Sequence, residues 1–74
     1  MSDEQFNMQP VSSSNISAIG YDESTETMRV QFHKSGTYDL AAVPKAEYEM
    51  LMKSQSIGST YAQFFRGQYD TSKL

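Results

Sequence analysis

The chain has 74 residues and a formal net charge of −3, with six Lys and Arg against nine Asp and Glu. A chain of this length forms one domain that buries only about 60% of its unfolded surface, and its acidic balance excludes a general attraction to nucleic acid, so any anion site must be local. The absence of cysteine and the single histidine exclude disulfides, thiolate zinc sites and a histidine-rich metal site, and we expect neither a metal nor a cofactor.

The N-terminal segment is predicted to be a disordered tail over residues 1–15. It contains only four larger apolar residues, in no regular period, and it ends in Pro10 and the polar run Ser12–Asn15. Such a segment lacks the alternation of a strand and the apolar stripe of a helix.

Two strands and a polar turn follow the tail. Ile16–Asp22 and Thr27–His33 are rich in β-branched and aromatic residues, and Glu23–Glu26 separates them. A four-residue loop pairs Ile19 with Val30, whereas a five-residue loop turns the alternate residues of the first strand inward. We expect the four-residue loop.

A second hairpin is predicted with Lys34–Gly36 as its loop, because Gly36 can adopt the left-handed conformation that a three-residue loop requires. The register that follows pairs His33 with Thr37, Phe32 with Tyr38, Val30 with Leu40, and Met28 with Ala42. Apolar residues then share one face, and the opposite face carries Arg29, Gln31, His33, Thr37 and Asp39.

Two short helices are predicted after the third strand. Pro44 ends that strand and begins a helix over residues 44–53, since proline cannot donate to a sheet but fits the first turn of a helix. The polar segment Ser54–Ser59 separates it from a second helix over residues 59–68. The apolar side of the second helix contains Tyr61, Phe64, Phe65 and Gln68.

The predicted fold class is therefore α+β. A three-stranded antiparallel β-meander is followed by two short helices packed on one face, in the order β-β-β-α-α. The domain covers residues 16–69, and residues 70–74 are predicted to be a frayed C-terminal tail. The other face of the sheet is left open, or is covered by another copy of the chain in a homo-oligomer.

A series of short motifs runs through most of the segment Ile16–Tyr69. They are Ile19-Gly20-Tyr21-Asp22, Val30-x-Phe32, Gly36, Tyr38, Val43-Pro44, Tyr48, Leu51, the SxSxG of Ser54–Gly58, Phe65-Arg66 and Tyr69. Their order and spacing resemble the KTSC domain, a short module named for its occurrence at the C-terminus of some lysyl-tRNA synthetases and also found alone in bacterial and phage proteins. The resemblance implies a binding module whose ligand is RNA or a nucleotide.

Two positions depart from the family's pattern. Members tend to carry a central tyrosine-x-tyrosine, where this chain has Tyr38-Asp39-Leu40, and an aromatic and an asparagine early in the second helix, where this chain has Thr60-Tyr61-Ala62. If those groups contact the ligand, binding is lost or changed here. The fold transfers more directly than the function.

The first group of candidate ligand-binding residues lies on the outer face and edge of the sheet. Arg29, Gln31, His33 and Thr37 present donors spaced about 7 Å apart along a strand, which suits a phosphate or a carboxylate. Of the residues on this face and its edge, Arg29, His33 and Lys34 are the predicted ligand-binding residues. The same residues are also typical of an ordinary solvent-exposed sheet face, on which the Asp39 carboxylate pairs with the nearby Arg29 guanidinium.

The second group lies at the turn between the helices. Lys53, Ser56 and Gly58 combine a cation with backbone amides at the start of a helix, which together can hold an anion. Helix capping explains the same serines. Arg66 is interpreted as a cation at the end of the second helix.

Aromatic side chains offer a further way to hold a base. Tyr38 and Tyr48 can stack on it, although core packing is the more ordinary role of both.

No catalytic residue is predicted, and we expect a protein that is not an enzyme. His33 lacks a visible co-catalyst, and no serine lies in a G-x-S-x-G elbow. The rival to a nucleotide-binding module is a protein-interaction module, such as a phage-type accessory protein or inhibitor that binds a host protein. Without an apolar run of 18 residues or a secretory signal, we expect a cytoplasmic protein with no membrane partner.

Overall fold

Five antiparallel strands and two helices make up the computed structural model, which describes residues 6–74. The strands are β1 (Gln9–Pro10), β2 (Ile16–Asp22), β3 (Thr27–Phe32), β4 (Gly36–Leu40) and β5 (Thr71–Lys73), and the helices are α1 (Lys45–Lys53) and α2 (Ile57–Phe64). The sheet order is β1-β2-β3-β4-β5. The α+β class is confirmed, but the sheet has five strands and not three.

The two additional strands come from segments predicted to be tails. Gln9 of β1 pairs with Ile19 of β2, and Lys73 of the C-terminal strand β5 pairs with Tyr38 of β4. Strands of two and three residues are too short to show an alternating pattern, and backbone pairing with a neighbouring strand defines them. The part of the predicted N-terminal tail at residues 1–5 lies outside the described residues.

The hairpin of β2 and β3 has the four-residue loop that the sequence favours. Ile19 lies opposite Val30, and Tyr21 lies opposite Met28. A β-bulge between Ile16 and Ala18 shifts the register at the start of β2. The bulge turns Ile16 toward the core, where it is 1% exposed.

The predicted register of the hairpin of β3 and β4 is wrong by two residues. Met28 pairs with Leu40 and Val30 with Tyr38, while Phe32 pairs with Gly36. Gly36 has a φ of +100°, but it belongs to β4 and not to the loop, and Ala42, the predicted partner of Met28, has a φ of +57° beyond the end of the strand. A shift of two residues keeps every side chain on its predicted face.

The hydrophobic core lies between the helices and one face of the sheet. Met28, Val30 and Leu40 from the strands are fully buried together with Leu51 of α1 and Phe65, which follows α2. The first helix begins one residue later than predicted, at Lys45, and the second begins two residues earlier and ends four residues earlier, at Phe64. A left-handed turn at Gly67, with a φ of +75°, then leads the chain toward β5.

The other face of the sheet is covered at its centre by the N-terminal segment. Phe6 is 4% exposed, and a Cβ atom added to Gly20 would lie 2.6 Å from both the Phe6 carbonyl oxygen and the Met8 sulfur. The guanidinium carbon of Arg29 lies 3.9 Å from the centre of the Phe6 ring, which is a cation–π contact. The expectation of an open face therefore does not hold around Gly20 and Arg29.

Candidate functional site

A cleft of about 840 Å³ opens between the β3–β4 turn and the C-terminal part of the chain. Its walls are formed by the residues before β2, the turn between β3 and β4, the start and middle of α2, and the segment from Arg66 to Thr71. A volume of this size is within the range of small-molecule sites, about 300–1,000 Å³. We call this cavity the cleft.

Aromatic rings form one side of the cleft. Phe32 meets both Tyr38 and Tyr61 edge to face, with ring centroids 5.6 Å apart in each pair. Tyr61 lies parallel to Phe65 at 6.1 Å, and Tyr69 also packs against Phe65, with its ring tilted by 30° and the centroids 5.7 Å apart. The period of two in the strands and the i,i+4 spacing in the helix bring these rings together, and they provide a surface on which a planar ring can stack.

The ionisable side chains that line the cleft include basic residues but, within residues 6–74, no carboxylate. Lys34 and Arg66 line it with His33, and no Asp or Glu of residues 6–74 does. Within the same residues neither Lys34 nor Arg66 forms an ion pair. Lys73 lies near this end of the sheet, since its Cε atom is 3.3 Å from the position of an added Gly36 Cβ. A chain with a net charge of −3 therefore carries a local positive site.

His33 joins the β3–β4 turn to the segment that precedes β2. Its backbone N–H donates to the Asn15 carbonyl at 2.8 Å, and its Nε2 lies 3.1 Å from the Ser13 carbonyl oxygen. Because a carbonyl oxygen only accepts, Nε2 carries the proton in this arrangement. The imidazole therefore fixes one wall of the cleft.

The structure brings together some of the predicted site residues and separates others. His33, Lys34 and Gly58 line the cleft. Ser56 and Gly58 line a smaller neighbouring cavity of about 430 Å³, and Lys53, at the end of α1, lines neither of the two cavities.

Arg29 does not belong to the cleft. Its Nε donates to Asp39 Oδ1 at 2.7 Å and its Nη2 to Oδ2 at 2.9 Å, a bidentate pair across β3 and β4. The same guanidinium packs on Phe6. The structure therefore places Arg29 apart from the other predicted site residues, in an ion pair and a cation–π contact on the opposite face of the sheet.

Several residues of the cleft were not predicted to bind a ligand. The sequence pattern indicates a helix-terminal cation at Arg66 and a position on the apolar side of the second helix for Tyr61, and it includes Tyr69 only as a motif residue; all three line the cleft. The i,i+4 pair of Tyr61 and Phe65 followed by Arg66 is the sequence signal that could have indicated an aromatic and cationic site. Tyr48 stacks on Tyr21 at 4.8 Å and 12° and lies outside the cleft.

The pKa of Tyr61 is raised above its usual value, and burial of the phenol is the main cause. The nearby Arg66 lowers this pKa, and Tyr38 raises it. Burial is also the first cause of the raised pKa of Tyr21, Tyr48 and Tyr69. Nearby carboxylates add to these shifts, such as Glu49 beside Tyr48. The folded protein therefore favours the neutral phenols.

We expect the stability of the domain to fall as the pH rises above about 10, the pKa of an unperturbed tyrosine. The unfolded chain ionises its phenols first, so their contribution is complete below about pH 10 and is lost as the pH rises through the folded-state pKa values. Urea unfolding at increasing alkaline pH measures this loss. Tyr61→Phe should make the decline less steep, and a free energy of unfolding that stays constant over this pH range would contradict the expectation.

No helix in residues 6–74 is long and apolar enough to cross a membrane. In that part of the chain, no group of three His, Asp or Glu side chains lies close enough together to hold a metal ion.

These features define a class of small α+β domains in which a five-stranded antiparallel sheet carries two helices over one face and a cleft at the β3–β4 turn. The model of the KTSC domain family matches residues 12–69, so the chain belongs to the KTSC domain family.

Two similar proteins extend this finding. A protein of Stutzerimonas stutzeri is 30% identical over 57 residues, which cover 77% of this chain and 80% of that protein. The crystal structure of a KTSC domain protein from Yersinia pestis is similar with a TM-score of 0.91 and 33% identity, covering 93% of this chain and 97% of that one. The fold of this chain is thus similar to that of an experimentally determined structure.

Proposed function

We propose that the protein is a non-enzymatic binding module whose cleft takes one unpaired nucleotide, either free or as part of RNA. The observation that supports this function best is the combination of an aromatic surface with two cations that lack carboxylate partners in residues 6–74. A nucleotide has the matching parts, a planar base and an anionic phosphate.

The base is assigned to the aromatic side of the cleft. Tyr38, Tyr61 and Tyr69 line it, and stacking of a base on one aromatic side chain contributes about 1–3 kcal/mol. A base paired in a duplex cannot reach such a surface, which favours an unpaired nucleotide.

The phosphate is assigned to Lys34 and Arg66. Both side chains belong to exposed residues, so they can move toward a ligand at little cost. Arg66 can bind two phosphate oxygens through its planar guanidinium, and Lys34 acts as a point charge. Binding rather than catalysis is proposed because the cleft lining, within the described residues, combines a single imidazole with no carboxylate.

Substitution of both cations, Lys34→Ala with Arg66→Ala, is expected to weaken the binding of a mononucleotide or of single-stranded RNA by about tenfold or more at low salt, since charge-assisted hydrogen bonds each contribute about 1.5–3 kcal/mol. Each phosphate contact with a single strand contributes about −0.7 to the slope of log K against log salt, so the slope should also become shallower. Isothermal titration calorimetry and fluorescence anisotropy measure these changes.

The matched control is Lys45→Ala with Lys53→Ala, which removes the same charge from two exposed residues outside the cleft. It should change the affinity less than twofold. Equal losses in the two double variants would show that general charge and not the cleft governs binding. No measurable affinity of the wild type for mononucleotides or RNA at low salt would refute the proposed function.

A protein partner, either a host protein or another copy of the chain, is the second candidate. Three large apolar side chains of residues 6–74 are exposed: Met50 at 37%, Phe64 at 50% and Leu74 at 64%. Exposed apolar side chains that act together mark interaction surfaces. Light scattering measures the mass of the particle in solution, and a pull-down after nuclease treatment distinguishes protein partners from nucleic acid.

A further inference from the structure

A second cavity of about 430 Å³ adjoins the cleft, and we call it the notch. Ser14, Asn15, Gly58 and Ala62 line both cavities. Shared lining residues make the cleft and the notch two parts of one groove. A ligand that enters the cleft can therefore continue into the notch.

The notch differs from the cleft in its chemistry. It has no charged residue and no aromatic ring among its described lining residues. Its hydroxyl groups belong to Ser12, Ser13, Ser14, Ser56 and Ser59. The amide side chains of Asn15 and Gln55 complete its polar lining.

Part of this polar lining is not used by the fold. Ser13 is used, since its hydroxyl oxygen accepts hydrogen bonds from the backbone N–H groups of Asn15 and Ile16, at 3.2 and 3.3 Å. Within residues 6–74, other polar side chains of the notch have no such role. Ser56 precedes α2, but its side chain makes no capping hydrogen bond. Gln55 and Ser59 are exposed. Neutral donors and acceptors of this kind suit the hydroxyl groups of a sugar better than a phosphate or a base.

We infer that the groove binds two consecutive nucleotides of single-stranded RNA, with one base and its phosphate in the cleft and the ribose of the neighbouring nucleotide in the notch. This inference rests on the proposed function and extends it from a single nucleotide to a two-nucleotide unit. The 2′-hydroxyl adds a donor and an acceptor that DNA lacks, so the notch favours RNA over DNA.

The test compares three ligands by calorimetry at low salt: uridine 5′-monophosphate, the 5′-phosphorylated diuridine ribonucleotide and the corresponding deoxyribonucleotide. The diribonucleotide is expected to bind about tenfold more tightly than the monophosphate and several-fold more tightly than the deoxyribonucleotide. Equal affinities for the monophosphate and the diribonucleotide would overturn the inference while leaving the proposed function intact. Absence of binding by all three ligands would overturn both.

Ser59→Leu places a larger side chain in the notch from an exposed position of α2 that does not line the cleft. It should reduce the affinity for the diribonucleotide to about that for the monophosphate. Gln63→Leu is the matched control, because Gln63 is exposed on the same helix and lines neither cavity. Equal effects of the two variants would refute the assignment of the notch.

A milder variant separates loss of hydrogen bonding from loss of space. Ser56→Ala removes one hydroxyl from an exposed residue and should lower the preference for the diribonucleotide over its deoxy form. An unchanged preference in this variant, with normal binding of the diribonucleotide, would show that the notch does not contact the sugar at Ser56 and would overturn this part of the inference.

Discussion

Phe65→Ala is expected to remove most of the stability of the domain. The Phe65 side chain is fully buried and packs against the rings of both Tyr61 and Tyr69, with centroid distances of 6.1 and 5.7 Å. Truncation of a buried phenylalanine costs about 3–5 kcal/mol, which is comparable with the whole free energy of unfolding of a domain this small. Urea unfolding followed by circular dichroism should show a transition that begins without denaturant.

The adjacent Phe64 provides the matched control, since it is 50% exposed. Phe64→Ala removes the same atoms from the neighbouring position and should change the free energy of unfolding by less than about 1 kcal/mol. Similar losses in the two variants would mean that the core does not distinguish these two rings, and would contradict the packing of the segment after α2.

Helical periodicity alone could not separate these two phenylalanines. At about 100° per residue, Phe64 and Phe65 lie about 60° and 40° from Tyr61, on opposite sides of it, so both fall within one apolar stripe. The second helix ends at Phe64 and not at Gln68, and the position of the Phe65 side chain therefore depends on the turn that follows. Packing against the sheet decides which ring is buried.

The alternation of the strands predicted the two faces of the sheet correctly. Met28, Val30 and Leu40 lie on the core side as expected, although the register of the hairpin of β3 and β4 differs by two residues. Faces depend on a period of two, which a shift of two residues preserves, whereas the register depends on the turn. The sequence does not distinguish the two turns, because Gly36 can serve either as the last loop residue or as the first strand residue, and in the structure it is the first residue of β4.

The candidate site was only partly predictable for a related reason. His33 and Lys34 lie in a local turn next to strands that the sequence identifies, so their positions followed from neighbouring residues. Arg66 and Tyr69 reach the cleft through the turn at Gly67 and the strand β5, which have no clear sequence pattern. The contact of Arg29 with Phe6 could not be predicted, because Phe6 lies far away in the sequence.

Gly20→Ala is expected to destabilise the domain by about 1–3 kcal/mol, the cost of overpacking a filled site. The new Cβ would lie 2.6 Å from both the Met8 sulfur and the Phe6 carbonyl oxygen, and 3.0 Å from the Phe6 Cβ atom. Gly20 is not among the glycines with positive φ, so alanine is free of backbone strain there and its effect comes from these contacts. Urea unfolding measures the loss.

A double-mutant cycle with Phe6→Ala tests the cause of this loss. Without the phenyl ring, the contact with Arg29 and the burial of Phe6 are removed, so the segment can move away from Gly20. The cost of Gly20→Ala should therefore be smaller in the Phe6→Ala background than in the wild type, with a coupling of about 0.5 kcal/mol or more. If Gly20→Ala is instead as stable as the wild type, the N-terminal segment does not cover this face, and the face again becomes available for pairing with another copy of the chain.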